Sequence, residues 1–420
     1  MVYDAIIVGA RCAGSPLAML LARAGGKVLL LDKAAFPSDS ISTHYIHNSG
    51  ATRLARWGVL DRVRASGAPG VSRLRYDFGD IVFEGSPPPT DGVQQAFAPR
   101  RFVLDQILLE EALAAGVTFR ESFAADGLIW EKGRVAGIRG QHRGGAAVTE
   151  RARMVVGADG AGSAISKMVN APEYNVQPGT SCMYYSYWSD LPLEGCEIYV
   201  RARSFTVVFP TNGGLTLVAN VWPAERADSV RSNVEEAFYR LTDALSALGG
   251  RLRAAKREER FFGMIARPNF FRKPYGPGWA LAGDAGYYKD PVTAQGMRDA
   301  FRDADLLAAA LLDGSEDALE QYERRRNEES AAMYEMTVQR ALFAPPTPEH
   351  LELFAALQGN QEQIDRFTGI DAGSVAIPEF FAPENIAKIM AGAGTSRGRG
   401  AQSSESSGSA NQPSIVASAI

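Results

Sequence analysis

The chain has 420 residues, 46% hydrophobic and 22% charged, with a formal net charge of −4. That length exceeds one ordinary domain, and the balance is that of a globular protein with a sizeable core. Its slight acidity argues against nucleic acid or an anionic membrane surface as partner, and Cys12, Cys182 and Cys196 form neither a C-x-x-C pair nor a zinc set.

Met1 runs straight into VYDAIIVG without a basic leader, so a reduced, cytoplasmic setting is expected. AIIV reads as a strand ending at Gly9. SPLAMLLARAG has helical spacing, is broken by Arg23 and is too short to span a bilayer; VLLL is a second buried strand ending at Asp32. The three form a βαβ unit with parallel strands and a right-handed crossover. In its turn, GARCAG, Gly9 and Gly14 hold the outer places of G-x-G-x-x-G, Ala13 precedes Gly14, and Arg11 takes the middle place. Alone, this spacing is a weak nucleotide signal. Asp32, followed by Lys33, closes the next strand 18 residues after Gly14, near the ~20 at which a carboxylate grips ribose hydroxyls; FAD or NAD is therefore preferred to NADP. Two destinations stay open for Arg11: the phosphates or ring of a nucleotide, or solvent.

The loop PSDSISTHYIHNSG, residues 37–50, supplies Ser42, Thr43, His44, Tyr45 and His47. No third ligand accompanies the two histidines, so no metal site is expected; hydrogen bonds to a cofactor, polar lining of a cavity, or an ordinary loop role are the readings. Residues 71–99 turn to short strands, and RRFVLDQILLEEALAAG is a helix with Leu104, Ile107, Leu108 and Ala112 on one face. MVVGADG, 154–160, is a buried strand entering a turn. Residues 179–267 alternate β-rich runs, carrying Tyr184, Tyr185, Tyr187, Trp188, Phe205, Phe209 and Trp222, with a helical insert at 232–248. Strand period two lets about half of these aromatics face any one cavity. WALAG leads into a second glycine-rich turn and a long helix from Gly296; helices with proline breaks fill 314–391. From 392 to 420 Gly, Ser, Ala and Gln dominate, so a disordered tail is expected.

GARCAG, VGADGAGSAI (156–165) and LAGDAGYYKDPVTAQGM (281–297) together resemble the motifs of the FAD-dependent aromatic hydroxylases of the para-hydroxybenzoate hydroxylase type. That superfamily includes geranylgeranyl reductases and flavin halogenases, and the resemblance covers most of residues 1–312. It implies an α/β fold: a Rossmann-like FAD-binding domain of the glutathione reductase type (1–70, 100–178 and 275–345), interleaved with a β-sheet substrate domain (71–99 and 179–274) and followed by C-terminal helices (346–391). FAD is the implied cofactor, contacted by Gly9, Arg11, Ala13, Gly14, Asp32, Lys33 and Thr43. Arg101, from the R-x-x-L of RRFVLD, matches an arginine near the cofactor. Asp159 and Gly160 match a D-G pair serving both FAD and NAD(P)H. In the second turn, Gly283 precedes Asp284, which matches a carboxylate bonding a ribityl hydroxyl, and Pro291 matches the proline beside the isoalloxazine. Gly296 and Met297 match the helix start that faces flavin N1 and O2, where a helix N-terminus stabilises negative charge. One departure stands out: the arginine usual three residues after Ser163 is Ser166, with Lys167 beside it, so the NAD(P)H docking pattern is incomplete.

The implied activity is hydroxylation of a hydrophobic aromatic or polyketide-like small molecule with O₂, through a flavin C4a-hydroperoxide. The reductant is NAD(P)H or a separate flavin reductase. His44, Tyr45 and His47 are the candidates to deprotonate a phenol. Two alternatives remain: reduction of a prenyl or conjugated double bond, because FTVVFP (205–210) partly resembles a reductase signature Y-x-W-x-F-P, and FAD binding without turnover. Halogenation is disfavoured by the absence of W-x-W-x-I-P.

Overall fold

The computed structural model describes residues 2–315 and 317–397. β1 (Val2–Val8) rises to Gly9, α1 (Gly14–Arg23) crosses back, and β2 (Val28–Leu31) lies parallel to β1. Alternation decides what each strand buries: Ile7 and Leu30 face the helices, whereas Ile6, Leu29 and Leu31 face a β-meander. α2 (Asn48–Arg56), the hairpin β3 (Leu74–Asp77) and β4 (Val82–Gly85), and α3 (Arg101–Ala114) follow. β5 (Thr118–Arg120) adds to β2, and β6 (Phe123–Glu131), β7 (Arg134–His142) and β8 (Ala147–Gly157) form the meander. Next come β9 (Ser181–Ser189), β10 (Cys196–Arg201), β11 (Ser204–Pro210) and β12 (Thr216–Pro223), then β13 (Trp279–Leu281). α4 (Gly296–Asp313), α5 (Ala318–Arg340), α6 (Pro348–Leu357), α7 (Gln361–Ala372) and α8 (Pro383–Arg397) complete the described chain.

The parallel sheet runs in the order β13–β8–β1–β2–β5. Its register matters for the site. Val8 pairs with both Leu31 and Gly157, and Gly157 pairs with Leu281, so the carboxyl ends of four strands stand in one row. Each end opens into one of the sequence's marked turns. The strands are mutually distant in sequence, and only their lateral order brings these turns together.

A second sheet, in the order β9–β12–β11–β10–β3–β4, is antiparallel except where β10 meets β3. Strands from residues 74–85 thus complete a sheet otherwise built beyond residue 180. One face packs on Trp188, Trp222 and Phe238; the other, with Tyr76, Ile198 and Phe209, is roofed by α5, α6, α7 and α8. The expected tail needs correction at its start. α8, anchored by fully buried Ile389, continues through Gly392 to Arg397, so 392–397 is helical; residues 398–420 lie outside the described residues.

Candidate active site

Two cavities meet above the row of strand ends. The larger, ≈ 520 Å³, is lined by the turn after β1, the residues after β2, the turn after β8 and the start of α4. Gly9 has φ +106°, and a Cβ there would lie 2.3 Å from the Ala158 carbonyl oxygen, so only glycine lets the first and third turns touch. Of the residues expected to contact cofactor, Gly9, Arg11, Ala13, Asp32, Lys33, Thr43, Arg101, Asp159, Gly160, Asp284, Pro291, Gly296 and Met297 all line this cavity. Gly14 and Gly283 do not, and the reason is packing. A Cβ at Gly14 would lie 1.7 Å from the Gly9 carbonyl oxygen, and one at Gly283 would lie 2.9 Å from Ala13 Cβ. These glycines hold the turns closed and present no surface.

Asp32 uses both oxygens locally: Ala10 and Ala34 each donate a backbone N–H at 2.8 Å. The carboxylate therefore braces the turn it was expected to complement. Arg11 lines the cavity with its guanidinium engaged by the protein. It donates to Ser38 Oγ and pairs with Asp105, and its guanidinium lies 5.4 Å over the Phe36 ring. Asp105 is wholly buried and also takes the Arg101 guanidinium. The loop after β2 is thereby strapped to α3 at the cavity's edge. Burial raises the Cys12 thiol to about 12, so it stays protonated beside Asp105, as a small filler would.

Asp159 accepts from the backbone N–H of Ala164 at 2.6 Å with Oδ2, while its Oδ1 is buried without a partner. Asp284 lies beside the start of α4, its Oδ1 3.9 Å from the position a Cβ would take on Gly296. Burial raises its pKa to about 6, with Asp299 and Asp303 adding to the rise and Lys289 and Arg101 opposing it. Lys289 is itself buried and ion-paired with Asp299. An orphaned carboxylate oxygen, a desolvated carboxyl at a helix N-terminus and glycine-only close approach suit a polyol and pyrophosphate chain. The residues present fit FAD.

The smaller cavity, ≈ 120 Å³, lies between the second sheet and the C-terminal helices. Ile198, Val200, Phe205, Val207, Phe209 and Val221 make its sheet wall, Phe343 and Arg340 its helical wall, and Thr43, Tyr45, Met183, Pro291 and Ala294 are shared with the larger cavity. Of the aromatics expected on these strands, Phe205 and Phe209 reach this lining; Trp188 and Trp222 fall on the opposite face, as period two requires.

The three loop candidates part company. His44 lines the larger cavity with φ +42°, its Nδ1 3.1 Å from the Ala98 carbonyl oxygen and its Nε2 2.9 Å from the Tyr187 hydroxyl. Nδ1–H donates to the carbonyl, and Nε2 accepts from Tyr187. Burial lowers its pKa to about 3, so it is neutral and fully engaged. His47 lines only the smaller cavity and meets the Thr293 carbonyl oxygen at 3.2 Å through Nε2; burial lowers it to about 4. Tyr45 borders both cavities, its hydroxyl buried without a partner and its pKa driven upward by burial.

Several lining residues carried no mark in the sequence. Phe123, Ala124 and Ala125 reach the larger cavity from the start of β6, and Tyr76, Arg340 and Asp371 reach the smaller one from β3, α5 and α7. Asp105 had a usable signal, its i,i+4 spacing from Arg101. No group of His, Cys, Asp and Glu among the described residues could hold a metal, and no helix among them is long and apolar enough to cross a membrane.

Comparison with known proteins agrees with this geometry. A digeranylgeranylglycerophospholipid reductase of Methanosarcina mazei is 27% identical over 317 residues, 73% of this chain and 74% of its own. The myxobacterial chondrochloren halogenase CndH superposes with a TM-score of 0.73 at 23% identity, covering 93% of this chain and 97% of its own. PqsL of P. aeruginosa, solved with 2-aminobenzoylacetate, gives 0.71 at 21% identity over 81% of this chain and 96% of its own. Both structural likenesses speak to the fold. Residues 2–337 match the FAD binding domain family, and with four-fifths of its length inside that match the chain belongs to this family of FAD-dependent oxidoreductases.

Proposed function

We propose that the protein is an FAD-dependent monooxygenase that hydroxylates an aromatic or polyketide-like small molecule. NAD(P)H or a separate flavin reductase supplies the electrons. The observation that carries this reading is the shared wall: Thr43, Tyr45, Met183, Pro291 and Ala294 border both the large polar-edged cavity and the small apolar one. When bound, FAD supplies the reaction of reduced flavin with O₂ that delivers an oxygen atom.

The chain's own residues provide the setting. Gly9, Asp159, Asp284 and the first turn of α4 would hold the cofactor, and Pro291 and Ala294, the latter at φ +52°, shape its substrate side. Phe205, Val207 and Phe209 exclude water from the adjoining space. At ≈ 120 Å³ that space is close to the roughly 150 Å³ that accommodates a benzene ring. A ring fits there more readily than a long prenyl chain. Tyr45, protonated by burial, can donate its hydroxyl to an oxygen on the ring, and neutral His44 holds the loop that carries it.

Reduction of a conjugated double bond is the second reading. It draws on the reductase name of the Methanosarcina relative and on the placement of Phe205, Val207 and Phe209 in the cavity wall. NADH and NADPH oxidation, followed with monocyclic phenols in air and under anaerobic conditions, separates the two. Monooxygenation expects oxygen consumption coupled to a product one oxygen atom heavier; anaerobic turnover to a product two hydrogens heavier would overturn it in favour of reduction.

A further inference from the structure

The smaller cavity is walled mainly by apolar side chains, and a polar group of Gln339, Arg340 and Asp371 closes its helical end. There Arg340, from the last turn of α5, lines the cavity with its side chain 10% exposed. Its Nη1 donates to Asp371 Oδ1 at 2.7 Å, while Nε and Nη2 are buried with no partner. Asp371 is itself committed, because the Tyr76 hydroxyl donates to its other oxygen and Gln295 donates to its backbone carbonyl. The other lining arginine is also spent. Arg201 gives Nη1 to the Asp77 and Val200 carbonyls and Nη2 to the Asp77 carboxylate. Tyr45 adds a second buried donor without a partner, its hydroxyl, on the side shared with the larger cavity.

Buried guanidinium and phenol donors left without acceptors are costly, and native interiors rarely keep them without a use. Asp371 answers one edge of Arg340 and leaves Nε and Nη2 without acceptors in the cavity's wall. We infer that Arg340, together with Tyr45, reads an oxygen acceptor carried by the substrate, a carbonyl or carboxylate group on an otherwise apolar ring. The inference rests on the reading of this cavity as the substrate's, and it deepens that reading by naming the group recognised. A site built to hydrogen-bond an oxygen discriminates most sharply against an isostere that lacks one.

Three single-ring probes of similar shape test it on the FAD-loaded protein: benzoate, acetophenone and isopropylbenzene. Affinity is read from perturbation of the flavin's visible absorbance and independently by equilibrium dialysis. The wild type is expected to bind benzoate or acetophenone at least about tenfold more tightly than isopropylbenzene. Benzoate ahead marks a carboxylate substrate, and acetophenone ahead a neutral carbonyl. Arg340→Met is expected to bring the preferred probe to within about threefold of isopropylbenzene, Arg340→Lys to retain part of the preference, and Tyr45→Phe to lose part of it. A purely structural ion pair with Asp371 would shift all three probes equally.

Equal wild-type affinities, no binding of any probe, or a preference that survives in Arg340→Met overturns the proposal. If Arg340→Met does not fold, the wild-type ratio and Tyr45→Phe decide, and an unchanged preference in Tyr45→Phe then counts against it. None of these measurements needs turnover. A preference with no hydroxylated product breaks the monooxygenase reading alone, whereas product without a preference breaks this one alone.

Discussion

Asp284 is held in a state that costs the fold something. Unfolded, it ionises near 3.8; folded, burial keeps its proton on up to about 6. Between those values the folded state binds more protons than the unfolded one, so stability falls as pH rises through that window and stays lower above it. Flavin-free Asp284→Asn is therefore expected to resist urea better than flavin-free wild type at about pH 7, the advantage vanishing as pH approaches about 4. The same variant should bind FAD more weakly, as titration of the flavin-free protein will read. Arg11 shows what one residue can hide. Its place in the turn was legible, but its partner Asp105 lies 94 positions away, and no local pattern links the two.

At the scale of elements, the βαβ unit uses glycine for two different reasons, a close contact at Gly14 and a left-handed backbone at Gly25. Gly14 starts α1 directly over the Gly9 carbonyl, whereas Gly25 ends the same helix at φ +88° with open space around it. Gly14→Ala is expected to yield protein without visible flavin absorbance. Gly25→Ala should keep its colour and lose about 1–2 kcal/mol, the cost of a left-handed conformation, as measured by urea unfolding. The turns after β1, β8 and β13 were readable because each is a glycine-marked break after an apolar run. The cavity residues of β6 were not: Phe123, Ala124 and Ala125 look like any strand start, and their role comes from where the strand begins.

At the scale of the molecule, the smaller cavity exists because α5 and α7 roof the second sheet. Phe367 of α7 is buried against Tyr76 and Phe83, ring centroids 5.3 Å away in each case, and one helical turn later the same helix presents Asp371. Phe367→Ala is expected to cost about 3–5 kcal/mol in urea unfolding. It should also weaken the binding of acceptor-bearing ligands, since the helix that positions Arg340 through Asp371 loses its anchor.

The sequence alone determined the α/β class, the FAD-binding character and most of the positions that line the larger cavity, because glycine turns, strand ends and a carboxylate at fixed spacing are local demands that local residues must meet. It left open the destination of Arg11, the bracing role of Asp32 and the whole polar end of the smaller cavity. Those were decided by tertiary structure. Tyr76, Arg340 and Asp371 stand on a strand and two helices far apart in the chain, and each reads in isolation as an ordinary amphipathic position. Only the packing of those elements takes them out of water together, and it is that shared burial which turns three unremarkable side chains into a site.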